Sequence, residues 1–420
     1  MPRMRSTARH GNPFRDAEIR RLALLFGVVY FAQGMWNLPV QALTIVFKEH
    51  GLSAADVADF QLVGTIPWLI KPAYGLLSDF VPLFGRRRKS YFLVTSAVAA
   101  LAGFAIAARS GLSYAHLAVF FGIMGFGLAF TDVLTDALMV EYGKPRGLTG
   151  TFQSVQWAAI YTASILVGVV GGYFAELRDY RTAFAVAACF PLVSFVIASV
   201  FVTEPPVAAD AESFRETWAA IRAAARGREI WLVAAFMFFF MFSPSFGPAF
   251  LFYQTDELKF SQQFIGILDS ITSVGYIAGA VLYAPLSRRL PLKTTIVWMI
   301  GASALASLGY LVYRGAASAL VISPIFGVVA MVTDLAFLDL AAKACPRRVE
   351  GTFFALLMAV HNGGMQLSMN VGGRLYDAVG YTPLVWITAL TTALTWIFVP
   401  FVKIDRIEAR ARAETAAAPV

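Results

Sequence analysis

Apolar positions along this chain fall into long runs, longer and more uniform than the one-faced helices of a water-facing fold. A helix needs roughly 20 predominantly apolar residues to cross a bilayer. Twelve runs meet that description, at residues 22–47, 56–80, 91–108, 113–142, 149–175, 182–203, 230–254, 262–287, 294–313, 317–344, 351–376 and 382–402. The longest polar connection, 204–229, divides them into six and six. The pattern predicts an all-α integral membrane protein: a short segment over 1–21, a six-helix bundle over 22–203, a linker over 204–229, a second six-helix bundle over 230–402 and a tail over 403–420. The segment through Arg21 is too long and polar for the charged region of a cleaved leader, so the first run is expected to be retained.

Charge sharpens this picture. The chain is 58% hydrophobic and 14% charged, against about 25% charged in soluble domains. Its net charge of +8 would suit a nucleic-acid partner in a soluble protein. On a membrane protein, basic residues are instead retained on the cytoplasmic side, where they set orientation. With twelve spans, 26 of the 34 Lys and Arg fall on one side, among them Arg3, Arg5, Arg9, Arg15, Arg20, Arg21, the run Arg86 to Lys89, Lys144, Arg146, Arg347 and Arg348. Seven fall on the other, and Lys71 lies inside a span. Both termini are therefore expected in the cytoplasm, the protein in an inner or plasma membrane, and no nucleic acid among its partners.

The chemistry of catalysis is missing. The two cysteines, Cys189 and Cys345, offer neither a disulfide framework nor zinc-ligand spacing. No Gly-x-Ser-x-Gly, His-Glu-x-x-His or phosphate-binding Gly-x-x-x-x-Gly-Lys-Ser/Thr pattern occurs. Neither an enzyme nor a chain with its own ATP site is expected, and no cofactor or metal.

A weak internal repeat agrees with two bundles. Thr131-Asp132 followed by Gly150-Thr151-Phe152 reappears as Thr333-Asp334 followed by Gly351-Thr352-Phe353, and Tyr74, Leu77 and Ser78 are matched by Tyr283, Leu286 and Ser287. Parallel repeats of this kind mark two-bundle transporters. Where the second run meets the cytoplasm, Gly75-Leu-Leu-Ser-Asp79 precedes Gly85-Arg86-Arg87-Arg88. This resembles the loop pattern of the major facilitator superfamily, lengthened by three residues. Asp79 can pair with loop cations or face a helix N-terminus, forming a latch that breaks when the bundles rock; topology alone would also explain the arginines.

A wider stretch, Pro67-Trp68-x-x-Lys71-Pro72-x-x-Gly75-x-x-Ser78-Asp79-x-x-Pro82-x-x-Gly85-x-Arg87-Arg88-x-x-Tyr91, is similar to the second-helix motif of the folate–biopterin transporter family, a branch of that superfamily. Further resemblance lies in Asp132-x-x-x-Asp136-x-x-x-Val140-Glu141, in Phe152-Gln153-Ser154-x-x-Trp157 and in Phe354-Ala-Leu-Leu-Met358. It is good in the first half and thin in the second. The muropeptide permeases share the extended loop, while the Lys71-Pro72 pair fits the folate–biopterin pattern better. The resemblance implies a twelve-helix major facilitator fold and uptake of folates, pterins or related metabolites, coupled to protons.

Charges inside a span cost a few kcal/mol each when unpaired and are functional candidates. Lys71 stands eight residues before Asp79, about 12 Å above the helix end at 1.5 Å per residue. Asp132 stands nine before Glu141 at the end of a helix running the same way. Their depths match, so Lys71 is expected to pair with Asp132 or, failing that, Asp136, either as a fixed staple or as a titratable site. The second half offers Asp334, Asp339, His361, and a stripe of Asn362, Gln366 and Asn370; the first run offers Gln33, Asn37 and Gln41, with Pro39 as a kink. Gln156 joins this candidate substrate or proton pathway. Of the four aspartates, three have no obvious cation in their own half. A buried unpaired carboxylate is the kind of group that takes up a proton, whereas His361 could serve instead. The run Phe236 to Phe242 could stack on a flat ligand or simply pack. The expected function is secondary transport of a small, polar, anionic metabolite by alternating access, coupled to protons, with the lipid bilayer, the small-molecule substrate and the proton as partners. The alternative is a facilitator fold used as a docking subunit of a membrane complex.

Overall fold

The computed structural model describes residues 16–143, 148–206, 211–346 and 350–417. Arg3, Arg5, Arg9, Arg15, Lys144, Arg146, Arg347 and Arg348 lie outside them. The described chain is helical throughout: α1 (Ala17–Met35), α2 (Val40–Glu49), α3 (Ala54–Leu69), α4 (Lys71–Phe80), α5 (Lys89–Ala108), α6 (Tyr114–Gly143), α7 (Thr149–Leu177), α8 (Tyr180–Phe201), α9 (Ala211–Ala225), α10 (Arg228–Met241), α11 (Pro248–Asp256), α12 (Gln262–Arg289), α13 (Leu292–Gly309), α14 (Ala316–Ala344), α15 (Glu350–Val379), α16 (Tyr381–Leu394) and α17 (Ile404–Ala417). Among the described residues, nine helical stretches are long and apolar enough to cross a membrane, and α1 with α2 forms one of them. The remaining apolar runs are occupied by α3 with α4, by α10 with α11, and by α15. The first two of these are interrupted, and the third carries His361, Asn362, Gln366, Asn370 and Arg374.

Three runs are broken, and each break has a local cause. Pro39 caps α2 after the turn at Trp36–Leu38, the kink that the sequence anticipates. Pro72 has no N–H to donate to the carbonyl four residues earlier, so α3 stops at Leu69 and α4 starts at Lys71. Pro244 and Pro248 flank the third break, where Gly247 takes a left-handed φ of 48°. Broken backbone is tolerated in a membrane only where other groups satisfy it. Here the Ser368 hydroxyl donates to the Ser243 carbonyl at 2.5 Å, and the Thr388 hydroxyl donates to the Pro244 carbonyl.

Buried side chains form separate cores on the two sides of residues 204–229. Phe121, Trp36 and Phe184 centre one cluster, joined by Ala249 and Phe252 of α11; Phe26, Phe130 and Phe152 centre a second. Phe236, Phe337 and Phe353 centre a third, whose buried members all lie beyond 229 and against which Ala220, Ile221, Ala224 and Ala225 of α9 pack. The Phe236 to Phe242 run is therefore largely packing: Phe236 and Phe240 lie against Phe337, and Phe239 stacks on Phe398.

The two halves meet unevenly. At the basic end the Phe80 ring abuts Phe214 of α9, within the 204–229 segment, and Arg410 of α17 reaches Glu229 at the end of that segment at 2.7 Å, neither contact joining one half directly to the other. At the opposite end α7 crosses α12 with glycine against glycine. A Cβ on Gly168 or Gly266 would run into the other's backbone carbonyl, and one on Gly172 would crowd Gln262. Only hydrogen there lets the helices touch. Polar contacts follow the same division. Arg374 holds both oxygens of Asp59 at 2.8 Å, the Asp377 carboxylate accepts from the Ala55 N–H at 3.0 Å, Lys48 pairs with Asp256, and Gln41 donates to the Gln262 carbonyl at 2.8 Å. Each of these joins the halves near the end opposite to the basic one. Among pairs of described residues, the ion pairs at the basic end stay within one half, as in Arg88 with Asp79, Lys293 with Asp405 and Arg410 with Glu229.

Replacing Gly266 by Leu should prise the halves apart at this crossing. Overpacking costs about 1–3 kcal/mol, enough to shift a two-state equilibrium by about 5–150-fold. Spin labels on the facing ends of α7 and α12 should report a longer mean separation in Gly266→Leu. An unchanged distance distribution would mean that the glycine contact does not set the closure.

Candidate functional site

The helix breaks collect polar side chains within the first half. Lys71, at the first position of α4, forms an ion pair with Asp132 of α6, the partner expected from matched depth. Asp132 is only 3% exposed, and its other oxygen accepts from Gln33 Nε2 at 2.7 Å. One turn further along α6, Asp136 accepts from the Tyr30 hydroxyl at 2.6 Å and more weakly from Gln156 Nε2 at 3.3 Å. The cluster joins α1, α4, α6 and α7. It holds two carboxylates and one ammonium, with every carboxylate oxygen but one given a partner in these contacts. Tyr30 is absent from the sequence reading; it lies one turn before Gln33 on α1, where Gln33 was the more conspicuous polar residue.

The second half is arranged differently. Asp339 is not unpartnered: Lys343, one turn on, pairs with it at 2.5 Å, and the Tyr283 hydroxyl lies at 3.5 Å. The expectation that three aspartates lack a cation is corrected accordingly. Both residues lie in the last turns of α14, where an i, i+4 spacing brings them together. Asp334 faces His361 across α14 and α15 with 3.8 Å between Oδ1 and Nε2. That is beyond a hydrogen bond, and His361 Nε2 is buried without a hydrogen-bond partner among the described residues. Tyr161 and Tyr276 stack beside them with ring centroids 5.9 Å apart, bringing α7 and α12 to the same region.

The stripe on α15 splits into two tasks. Gln366 donates to the Thr65 hydroxyl at 2.7 Å, and Asn370 donates to Asp59 at 2.5 Å. Both bonds cross between the halves. Asn362 sits half-buried one turn earlier. In the first half, Asn37 and Gln41 border a cavity of about 290 Å³ together with Gln61, Gly168, Gly247 and Asp269. Asp269 is the functional candidate that the sequence reading missed. Its signal was available, since it is the one acidic residue within 262–287.

The motif from Gly75 to Arg88 forms a knot at the basic end. Gly85, at φ 72°, turns the chain back after Phe84, itself left-handed, so that the Arg86 N–H bonds the Leu83 carbonyl at 3.1 Å. The turn drives Arg88 inward, where it binds Asp79, Glu141 at 2.8 Å and the Ser78 hydroxyl at 2.7 Å. Glu204 accepts from the N–H groups of Arg87, Arg88 and Lys89 at 2.9–3.1 Å. Of the three arginines, Arg88 alone has its guanidinium in this knot among the described contacts, and Gly75 faces Val133 across an ordinary contact. These partners belong to the first half, except Glu204, which begins the 204–229 segment.

Helices around a polar interior, one of them broken at Lys71, define a membrane transporter of the major facilitator architecture. The structure superposes on a D-xylose–proton symporter with a TM-score of 0.71 at 17% identity, covering 92% of this chain and 99% of that one. It superposes on a POT family transporter solved with 5-aminolevulinic acid with a TM-score of 0.73 at 11% identity, over 91% and 97%. At such identities the likeness concerns the fold alone. The chain belongs to the BT1 family, whose sequence profile matches residues 31–409. It is 33% identical over 393 residues to the folate-biopterin transporter of Synechocystis sp., covering 87% of this chain and 78% of that protein. It is 27% identical over 339 residues to the probable folate-biopterin transporter 2 of Arabidopsis thaliana, covering 76% and 67%. The chain is thus an integral membrane transporter and not an enzyme.

If the Lys71–Asp132 pair staples the first half, orphaning either charge should cost about 3–5 kcal/mol. Lys71→Met and Asp132→Asn should each melt well below the parent in detergent, and the double variant should recover much of the loss. A double variant no more stable than the worse single one would show that the two charges do not depend on each other.

Proposed function

We propose that this protein carries a folate, pterin or related small polar anion across the membrane by alternating access, driven by protons. The observation that carries the reading is the Lys71, Asp132, Asp136 cluster at the helix breaks. Discontinuous helices commonly supply the substrate and ion sites of secondary transporters. Lys71 offers an anion a charge already held deep in the bilayer, and Asp132 releases it when the substrate takes its place. Asp136, with hydrogen bonds but no cation of its own, is the proton carrier: two carboxylates and one ammonium leave one negative charge, which a proton neutralises. Gln33 and Gln156 orient the two acids. Asp334 and His361, facing each other across the second half, extend the pathway, with Asn362 beside them. Asp339, held by Lys343, Gln366 and Asn370 contribute to closure more than to the path itself.

Supporting the transport cycle is the uneven contact between halves. With 22–203 and 230–402 as the two six-helix bundles, twelve spans in all and the basic end in the cytoplasm, the outer side is sealed and the state is inward-facing. The 204–229 linker, with α9 within it, joins the bundles on the cytoplasmic side. In the outward-facing state the Asp79 and Arg88 knot serves as the latch at that side.

Uptake of labelled folate or biopterin into proteoliposomes should rise with an imposed inward proton gradient and collapse with a protonophore. Asp136→Asn should still exchange substrate but accumulate none against its gradient; accumulation at parental level would remove Asp136 as the carrier. Asp79→Ala should insert normally and transport about tenfold more slowly, the size of a coupling of about 1.4 kcal/mol. Equal rates at equal expression would leave the motif as a topology signal.

A further inference from the structure

We infer that Asp269 is the specificity residue for the hydrogen-donating edge of the substrate's ring, receiving two adjacent N–H groups of a 2-amino-4-oxo heterocycle. The inference rests on the transport reading above and concerns a place separate from the Lys71 cluster. Asp269 borders the cavity of about 290 Å³ lined by residues of both halves, close to the lower end of the roughly 300–1,000 Å³ typical of small-ligand sites. Among the described residues it is the only charged one bordering that cavity, and its side chain makes no hydrogen bond or ion pair with any of them. Its side chain is exposed at the cavity and has no donor of its own among the described residues, so a ligand entering there meets a carboxylate free to accept from it.

The surroundings restrict what the ligand can be. An ionised carboxylate accepts only, and its two oxygens match a pair of parallel N–H donors. Asn37 and Gln61 each present an amide carrying both a donor and an acceptor, suited to ring nitrogens and a ring carbonyl. Gly168, Gly171 and Gly247 leave parts of the wall without side chains, which admits a flat bicycle against the backbone. The closing contacts stand directly beyond it: Gly266 lies one turn from Asp269 on α12, and Gln41, itself bordering the cavity, bonds Gln262. A ring bound here would be enclosed by the same contacts that seal the halves, while an anionic tail could extend toward Lys71.

The test compares 2-amino-4-oxopteridine with 2,4-dioxopteridine, which lacks the amino donor, in the purified full-length protein. Binding is followed by calorimetry and uptake by competition in proteoliposomes. The parent should prefer the amino compound by at least about tenfold, as polar sites reject analogues that leave a buried group unpaired. Asp269→Asn presents an N–H₂ to one of the ligand's donors, so the preference should fall toward one while the dioxo compound binds as before. Asp269→Glu should restore part of the preference. If Asp269→Asn keeps the parental ratio, the assignment fails while the transport reading stands. Equal loss of both compounds in Asp269→Asn, restored by Glu, would mark a structural or cation-binding role and also overturn it. Failure of the parent to bind or carry either pteridine, with folate uptake absent as well, would remove the transport reading and this inference together.

Discussion

A polar group left without a partner in hydrocarbon costs several kcal/mol, and this constraint organises the interior of the protein. Lys71 cannot stand in a span alone. It is matched by Asp132, which is in turn held by Gln33, and the neighbouring Asp136 is held by Tyr30 and Gln156. These contacts tie α1, α4, α6 and α7 around a single buried cluster. The same rule governs the backbone: the broken run at Phe242–Gly247 is possible because the Ser368 hydroxyl of α15 and the Thr388 hydroxyl of α16 serve carbonyls released there. A transporter needs polar groups at membrane depth, and each of these arrangements supplies one without exposing it to lipid.

The second organising feature is asymmetry between the ends. Ion pairs, amide hydrogen bonds and the Gly168–Gly266 crossing join the halves at one end, and the charged contacts of the basic end stay within each half. The first set can come apart without breaking either core, since the three large cores lie almost wholly within one half each. Rigid halves joined by a small number of exchangeable contacts are what a rocking motion requires. The individual outer ion pairs are partly exposed and weak singly; their effect comes from acting together with close helix packing.

Several details were legible in the sequence because helix geometry is one-dimensional. Depth along a helix follows from counting residues, and so the Lys71–Asp132 contact could be anticipated from two helices that run the same way. The Asp339–Lys343 pair was legible by the same i, i+4 rule, since both residues lie within the run 317–344. Asp269 was hidden for another reason. A single acid in an apolar run reads as an anomaly until the neighbouring helices show that it borders a cavity. Which of three successive arginines would be buried was likewise undetermined until the left-handed turn at Phe84 and Gly85 turned Arg88 inward.

By itself the sequence determined the membrane class, the helical character of the long apolar runs and the family. These depend on sums over local stretches: apolar length, basic residues per loop, and a motif contiguous in the chain. Only the tertiary structure decided which end is sealed, which polar residues share the cluster and which lie in the contact between halves. Those outcomes depend on the rotation of each helix about its axis and on partners such as Asp59 and Arg374, far apart in the chain. A bilayer rewards apolar surface in every direction, so the pattern along a buried helix says little about which face meets which neighbour.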